Sequence, residues 1–173
     1  HRLGYLVGPI GRSRMCGDYL DPPNRSAREC RDEQPPYPLI VLRYTMQGYL
    51  KLINLSSKAY IEGVYYEPRI VHELIEQYHE GIVCCSACLG GEVPQAIMDG
   101  RPEEAERIAA WYKAIFGADY YLEVQRHETD VPGADNSPFA HQQQVNAAIF
   151  LLPAKLGPQV VATKHSPFVH RDT

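Results

Sequence analysis

Apolar and polar positions along the chain fall into two recurring patterns from Leu39 onward. Leu39-Ile40-Val41-Leu42 is a short unbroken apolar run, as in a strand buried on both faces. Thr45 can cap a helix that follows, in which Tyr49, Leu52, Ile53 and Leu55 form an apolar stripe. Ile70 to Tyr78 reads as a second helix, with Gly81 as its stop, and Ile82-Val83-Cys84-Cys85 as a second buried strand. Gly90-Gly91 turns the chain into a short helix at Val93–Met98. The clearest helix is Pro102 to Phe116. Proline suits its first position, Glu103 and Glu104 suit the positive end of its dipole, and Ala105, Ile108, Ala109, Tyr112, Ile115 and Phe116 share one face. Tyr120, Leu122 and Val124 alternate with Tyr121, Glu123 and Gln125, which is strand period. After a polar loop, Thr129 to Pro138, a helix is expected from about Phe139 to Lys155, then a last strand at Val160–Thr163. Pro153 falls inside that helix, at a cost of ~3 kcal/mol or more, so the helix kinks there or ends early.

Residues 1–36 show no such period. Gly8-Pro9, Gly11, Gly17, Pro22-Pro23 and Pro35-Pro36 interrupt it, Arg25 to Glu33 is densely charged, and only a short strand near Tyr5–Val7 is expected. Apolar strands interleaved with helices argue for an α/β fold with parallel strands, open or closed into a barrel.

Composition narrows the function. With 173 residues, 45% hydrophobic and 22% charged, the chain fits one ordinary soluble domain. A net charge of -4 provides no overall basic field for nucleic acid, which argues against DNA binding through the domain's own surface. No apolar run approaches the ~20 residues that cross a bilayer, so no membrane partner is expected. The start lacks a basic-then-apolar leader, and His1 in place of Met suggests a start inside a longer reading frame. Five cysteines, three of them within Cys84–Cys88, make a poor disulfide framework and point to a reducing cytoplasm.

Several stretches, taken in order, carry a resemblance. They are Gly48-Tyr49-Leu50-Lys51-Leu52, Ala59-Tyr60-Ile61-Glu62-Gly63, Pro68-Arg69-Ile70 and Tyr78-His79-Glu80-Gly81-Ile82, then Ser86-Ala87-Cys88-Leu89-Gly90-Gly91-Glu92-Val93-Pro94. Trp111-Tyr112-Lys113, Phe116-Gly117, Tyr120 through Glu128 and Val160-Val161-Ala162-Thr163 continue them. Together they resemble the PHP domain of bacterial DNA polymerase III alpha subunits, from about Tyr37 to the C-terminus.

That resemblance implies a distorted β/α barrel, here incomplete, with residues 37–173 forming a partial PHP domain and 1–36 an irregular lead. It implies a parent nucleotidyltransferase that carries out DNA-directed DNA synthesis in chromosome replication, its polymerising carboxylates lying beyond this stretch. Partners would be other replisome subunits, and DNA through the parent polymerase. In the family the barrel can hold divalent metal ions (zinc, manganese or magnesium) on His, Asp, Glu and Cys at strand ends. Some members use them for 3′–5′ exonuclease proofreading; others keep the domain for structure and subunit contacts.

Carried over position by position, the ligand set is depleted. The family's opening His-x-His would precede residue 1. Its next acidic ligand follows a Gly-Cys pair, and the nearest text here is Cys16-Gly17-Asp18, in altered order. A ligand His before the first buried strand is replaced by Pro38, which has no donor atom. Ser86-Ala87-Cys88 matches fully, which makes Cys88 a candidate metal ligand. The closing motif reads Thr163-Lys164-His165-Ser166-Pro167: His165 stands where an Asp is usual and is the second candidate, and Pro167 stands where a His is usual. A multi-metal phosphoesterase centre needs several such ligands converging, so no catalytic residue is assigned.

The remaining candidates have plainer readings. Cys84 and Cys85 read as small core residues facing opposite ways on a strand. His72 and His79 read as helix-end or surface groups, His141 as solvated, and Glu103-Glu104-Glu106 as an exposed helix face. Arg69 suits an ion pair as well as a phosphate. His127, just past a strand, lies where barrel active sites gather. Three functions remain open: a polymerase module whose role is structural, with a vestigial exonuclease site; a stand-alone PHP-type metal-dependent phosphoesterase; and a non-enzymatic replisome interaction module.

Overall fold

Strand-forming and helix-forming stretches alternate along the chain, and in the computed structural model they assemble around one sheet. Residues 4–11, 37–62, 64–65, 67–68, 70–127 and 137–163 are described. Among them are eight strands: β1 (Gly4–Gly11), β2 (Tyr37–Arg43), β3 (Val64–Tyr65), β4 (Glu67–Pro68), β5 (Ile70–Val71), β6 (Ile82–Cys85), β7 (Tyr120–Gln125) and β8 (Gln159–Thr163). Six helices are α1 (Met46–Glu62), α2 (His72–Tyr78), α3 (Glu92–Met98), α4 (Pro102–Phe116), α5 (Ser137–Ile149) and α6 (Leu152–Leu156).

The six-stranded sheet has the order β5-β1-β2-β6-β7-β8, and β3 and β4 form a separate pair. β6, β7 and β8 run parallel, as the interleaved pattern predicts. β2 corrects that expectation, because it is antiparallel to both β1 and β6. The sheet is therefore mixed α/β, with β5 and β8 at its edges among the described residues. The β1–β2 register shifts between Val7 and Ile10. Gly8 and Pro9 there oppose Pro38 alone, two residues against one. Both prolines lack the N–H a ladder needs, and a bulge is where a strand tolerates that.

Local chemistry explains most boundaries. Thr45 caps α1 by accepting the Gly48 N–H at 2.9 Å. Gly48 must be glycine, since a β-carbon there would overlap the Gly81 carbonyl group where α1 crosses the turn before β6. α4 runs from Pro102 to Phe116 as expected, with acids in its first turn and Lys113 in its last. Ile70 and Val71 depart from expectation: they pair with the end of β1 and leave α2 to begin at His72. Both are β-branched, which suits a strand. The helix expected to reach Lys155 ends at Ile149, and Pro153 lies in the first turn of α6, where its missing N–H costs nothing. In α1 the buried stripe is Leu52, Leu55 and Ala59, and Ile53 points outward instead.

One face of the sheet is covered. Leu39, Val41, Ile82, Cys84, Tyr120, Leu122 and Val124 share a single core with the inner faces of all six helices. The alternate residues, Ile40, Cys85, Glu123 and Gln125, lie on the other face.

Candidate strand-end polar site

Because β6, β7 and β8 are parallel, their carboxyl ends come together at one edge, the usual place for function in such sheets. β6 runs straight into the loop Ser86–Gly91. Ala87 there has φ 61°, a left-handed conformation that favours glycine and costs a residue with a side chain ~1–2 kcal/mol. The kink turns Cys88 back, and the Gly91 N–H donates to the Cys88 carbonyl at 2.8 Å. A side chain at Gly91 would overlap the Ser86 carbonyl oxygen, so the loop closes only with glycine.

Half-buried Cys88 meets a buried amide from α5. Gln142 Nε2 donates to Cys88 Sγ at 3.5 Å and lies 2.7 Å from His127 Nδ1, while Gln142 Oε1 accepts the His127 backbone N–H at 2.8 Å. With both Gln142 atoms committed, His127 Nδ1 is the acceptor and its ring proton belongs on Nε2. Gln142 thus bridges the thiol and the imidazole.

A second network lies beside the first. The Glu123 N–H donates to Ser86 Oγ at 2.9 Å, tying β7 to the Cys88 loop. Glu123 Oε1 accepts from Gln125 Nε2 at 2.7 Å and from the Thr163 hydroxyl, and Gln125 Nε2 also donates to Thr163 Oγ1 at 2.9 Å. Asn146 of α5 holds the Gln125 carbonyl at 2.9 Å. Glu123 is only 1% exposed, and its Oε2 has no hydrogen-bond partner among the described residues. Its charge and, more strongly, burial push the neighbouring Cys85 thiol from its usual 9.0 up to about 11.

The other named residues scatter. Cys84 faces the core and Cys85 the opposite side, and both are free thiols. His72 lies 3.3 Å from buried Glu92, which also accepts from Tyr112 OH at 3.2 Å; Trp111 packs edge-on against His72 with ring centroids 4.4 Å apart. His79 Nδ1 meets the Glu76 carbonyl at 2.7 Å at the end of α2, and His141 is exposed. Asp18, Arg69, His165 and Pro167 lie outside the described residues. Pro38 flanks the Cys88 loop: a β-carbon on Gly90 would come 3.1 Å from Pro38 Cγ.

A multi-ion centre does not fit this set. Among the described residues no three His, Cys, Asp or Glu side chains gather. Of the described residues, those around Cys88 include an amide, one imidazole and a proline. Sequence reasoning missed Glu123 and Gln142. An acid in the middle of an apolar strand was a signal for the first. Nothing distinguished Gln142 from Gln143 and Gln144 beside it, because only the packing of α5 selects one of the three.

An α/β domain with its polar groups gathered at the carboxyl ends of parallel strands is the class these features define. The chain belongs to the PHP domain family, whose profile matches residues 17–127, more than half of its length. Among curated relatives it is similar to the DNA polymerase III subunit alpha of Treponema pallidum, 38% identical over 91% of this chain and 13% of that protein. The corresponding subunit of Borreliella burgdorferi is 38% identical over 79% of this chain and 11% of the relative, and that of Deinococcus radiodurans 36% over 80% and 10%. The chain thus spans about a tenth of the length of the relatives it matches. No helix among the described residues is long and apolar enough to cross a membrane.

Proposed function

We propose that this chain is the PHP module of a DNA polymerase III alpha subunit and serves replicative DNA synthesis in the cytoplasm as a structural part, its 3′–5′ exonuclease site vestigial. In this reading residues 37–173 are part of the distorted barrel and the polymerising site belongs to another part of the subunit. Contacts with replisome subunits and with DNA are made through the parent polymerase. The observation that carries the vestigial reading is the company Cys88 keeps among the described residues: Gln142, His127 through that amide, and the Pro38 strand, with no group of three metal-ligating side chains gathered there. A phosphoesterase of this kind needs two or more cations to clamp the attacking and leaving oxygens. Among the described residues, one thiol beside an amide does not assemble that clamp for zinc, manganese or magnesium.

The test is made on the polymerase that carries this stretch. Metal content is measured by mass spectrometry after dialysis, and degradation of a 3′-labelled single strand is followed with each cation. Less than one ion per chain and no exonuclease, with primer extension intact, support the reading. Restoring two family ligands with Pro38→His and Pro167→His should raise metal content. Stoichiometric metal and exonuclease in the unaltered protein would sink it. Hydrolysis of small phosphomonoesters by a polypeptide of only 173 residues would favour a stand-alone phosphoesterase.

A further inference from the structure

α1 is apolar on two opposite sides. Leu52, Leu55 and Ala59 enter the core. Met46, Leu50, Ile53, Tyr60 and Ile61 lie on the other side and are 44% to 79% exposed. With Ser57 they recur at helical spacing and form one stripe about 100° wide. None of these positions is charged, and Lys51 is drawn to the flank by its ion pair with Glu80. A solvated helix face is normally polar. An uncharged stripe with Met and Tyr has the composition of an interface centre. Lacking any basic residue, it does not suit the phosphates of DNA.

At roughly 200 Å² for a fully exposed large side chain, the five residues present roughly 600 Å² of surface. Counting an equal area on the facing side, that lies within the ~600–1,500 Å² of interfaces between domains of one chain. A surface of this size is sufficient when its partner is tethered, because tethering raises the effective concentration. The relatives extend far beyond the matched stretch, which is 10–13% of their length.

We propose that this face of α1 is a docking surface for another, apolar part of the same alpha-subunit polypeptide, outside the stretch described here. This rests on the reading of the chain as the PHP module of such a subunit.

Hydroxyl-radical footprinting of the native protein tests it with an internal control. Met46 is 69% exposed and Met98 37%, so an uncovered α1 oxidises faster at Met46. Docking inverts the order, making Met46 the slower of the two. A photo-crosslinker on Ile53→Cys then reports the occupant, and the expected product is a cross-link within one polypeptide, to a peptide beyond the matched stretch. Faster oxidation of Met46 than of Met98, or a cross-link to a second copy or a separate subunit, overturns the proposal while the module reading stands. An intact native mass no greater than 19.5 kDa removes both.

Discussion

The two faces of the sheet solve burial in opposite ways. On the helix-covered face Cys84, Tyr120, Leu122 and Val124 are surrounded by apolar side chains, and stability there comes from area removed from water and close packing. On the other face Glu123, Gln125 and Thr163 are linked by hydrogen bonds around a carboxylate with one oxygen unpartnered among the described residues, and Cys85 lies within reach of its charge. Residues adjacent in sequence, Leu122 and Glu123, are both buried yet follow different physics. The first face tolerates no lost volume. The second tolerates no lost partner, and it is the face that meets the strand-end loop through Ser86. The apolar face can fold the chain whatever the polar face binds.

The sharpest break between the faces is expected from Leu122→Ala. It removes buried volume from the core and should cost ~2–5 kcal/mol in urea unfolding; a loss below ~1 kcal/mol would show that this face is not close-packed. Next comes a pair at Glu123. Glu123→Ala leaves the Thr163 hydroxyl without its acceptor and takes one of two acceptors from Gln125, and should cost ~1–3 kcal/mol. Glu123→Gln keeps an acceptor and removes a buried charge, so its cost should stay under ~1 kcal/mol. Equal losses for the two would mean that the charge, and not the hydrogen bonds, holds the strands.

A smaller effect follows from alkaline pH. Burial raises the thiols of Cys84 and Cys85 and the phenols of Tyr112 and Tyr120. The folded state therefore holds these protons more tightly than the unfolded one. For Cys85 that stabilisation is complete below 9.0 and is lost as pH rises through about 11. Chemical denaturation should be flat from neutral pH to about 9 and then fall, and Cys85→Ala should make the fall shallower. A stability that stays level through that range in the unaltered chain would show that these groups are solvated. The smallest change is Ala87→Gly, which relieves the left-handed strain beside Cys88 and should stabilise by ~0.5–1 kcal/mol despite losing a buried methyl. Destabilisation would mean that the methyl packing outweighs the strain.

Much of this protein was legible in its sequence. Period and punctuation placed α4 from Pro102 to Phe116, and they located β6, β7 and the Thr45 cap, since each depends on neighbours a few residues away. The Ser86-Ala87-Cys88 motif was picked out by its resemblance to the family, not by local period. Other features depend on residues distant in the chain. β2 runs antiparallel because it pairs with β1 and β6 across long connections, and no local pattern encodes that direction. Ile70 and Val71 are strand because β1 ends beside them. Ile53 matched the helical stripe but faces outward, since a stripe read from sequence does not say which of two apolar sides meets the core. Gln142 among three glutamines, and Glu123 among alternating residues of β7, became site residues when α5 packed against the loop and β8 paired with β7. Short-range sterics and periodicity are written along the chain. Which buried groups share a proton or a hydrogen bond is settled only when distant segments come within ~3 Å of one another.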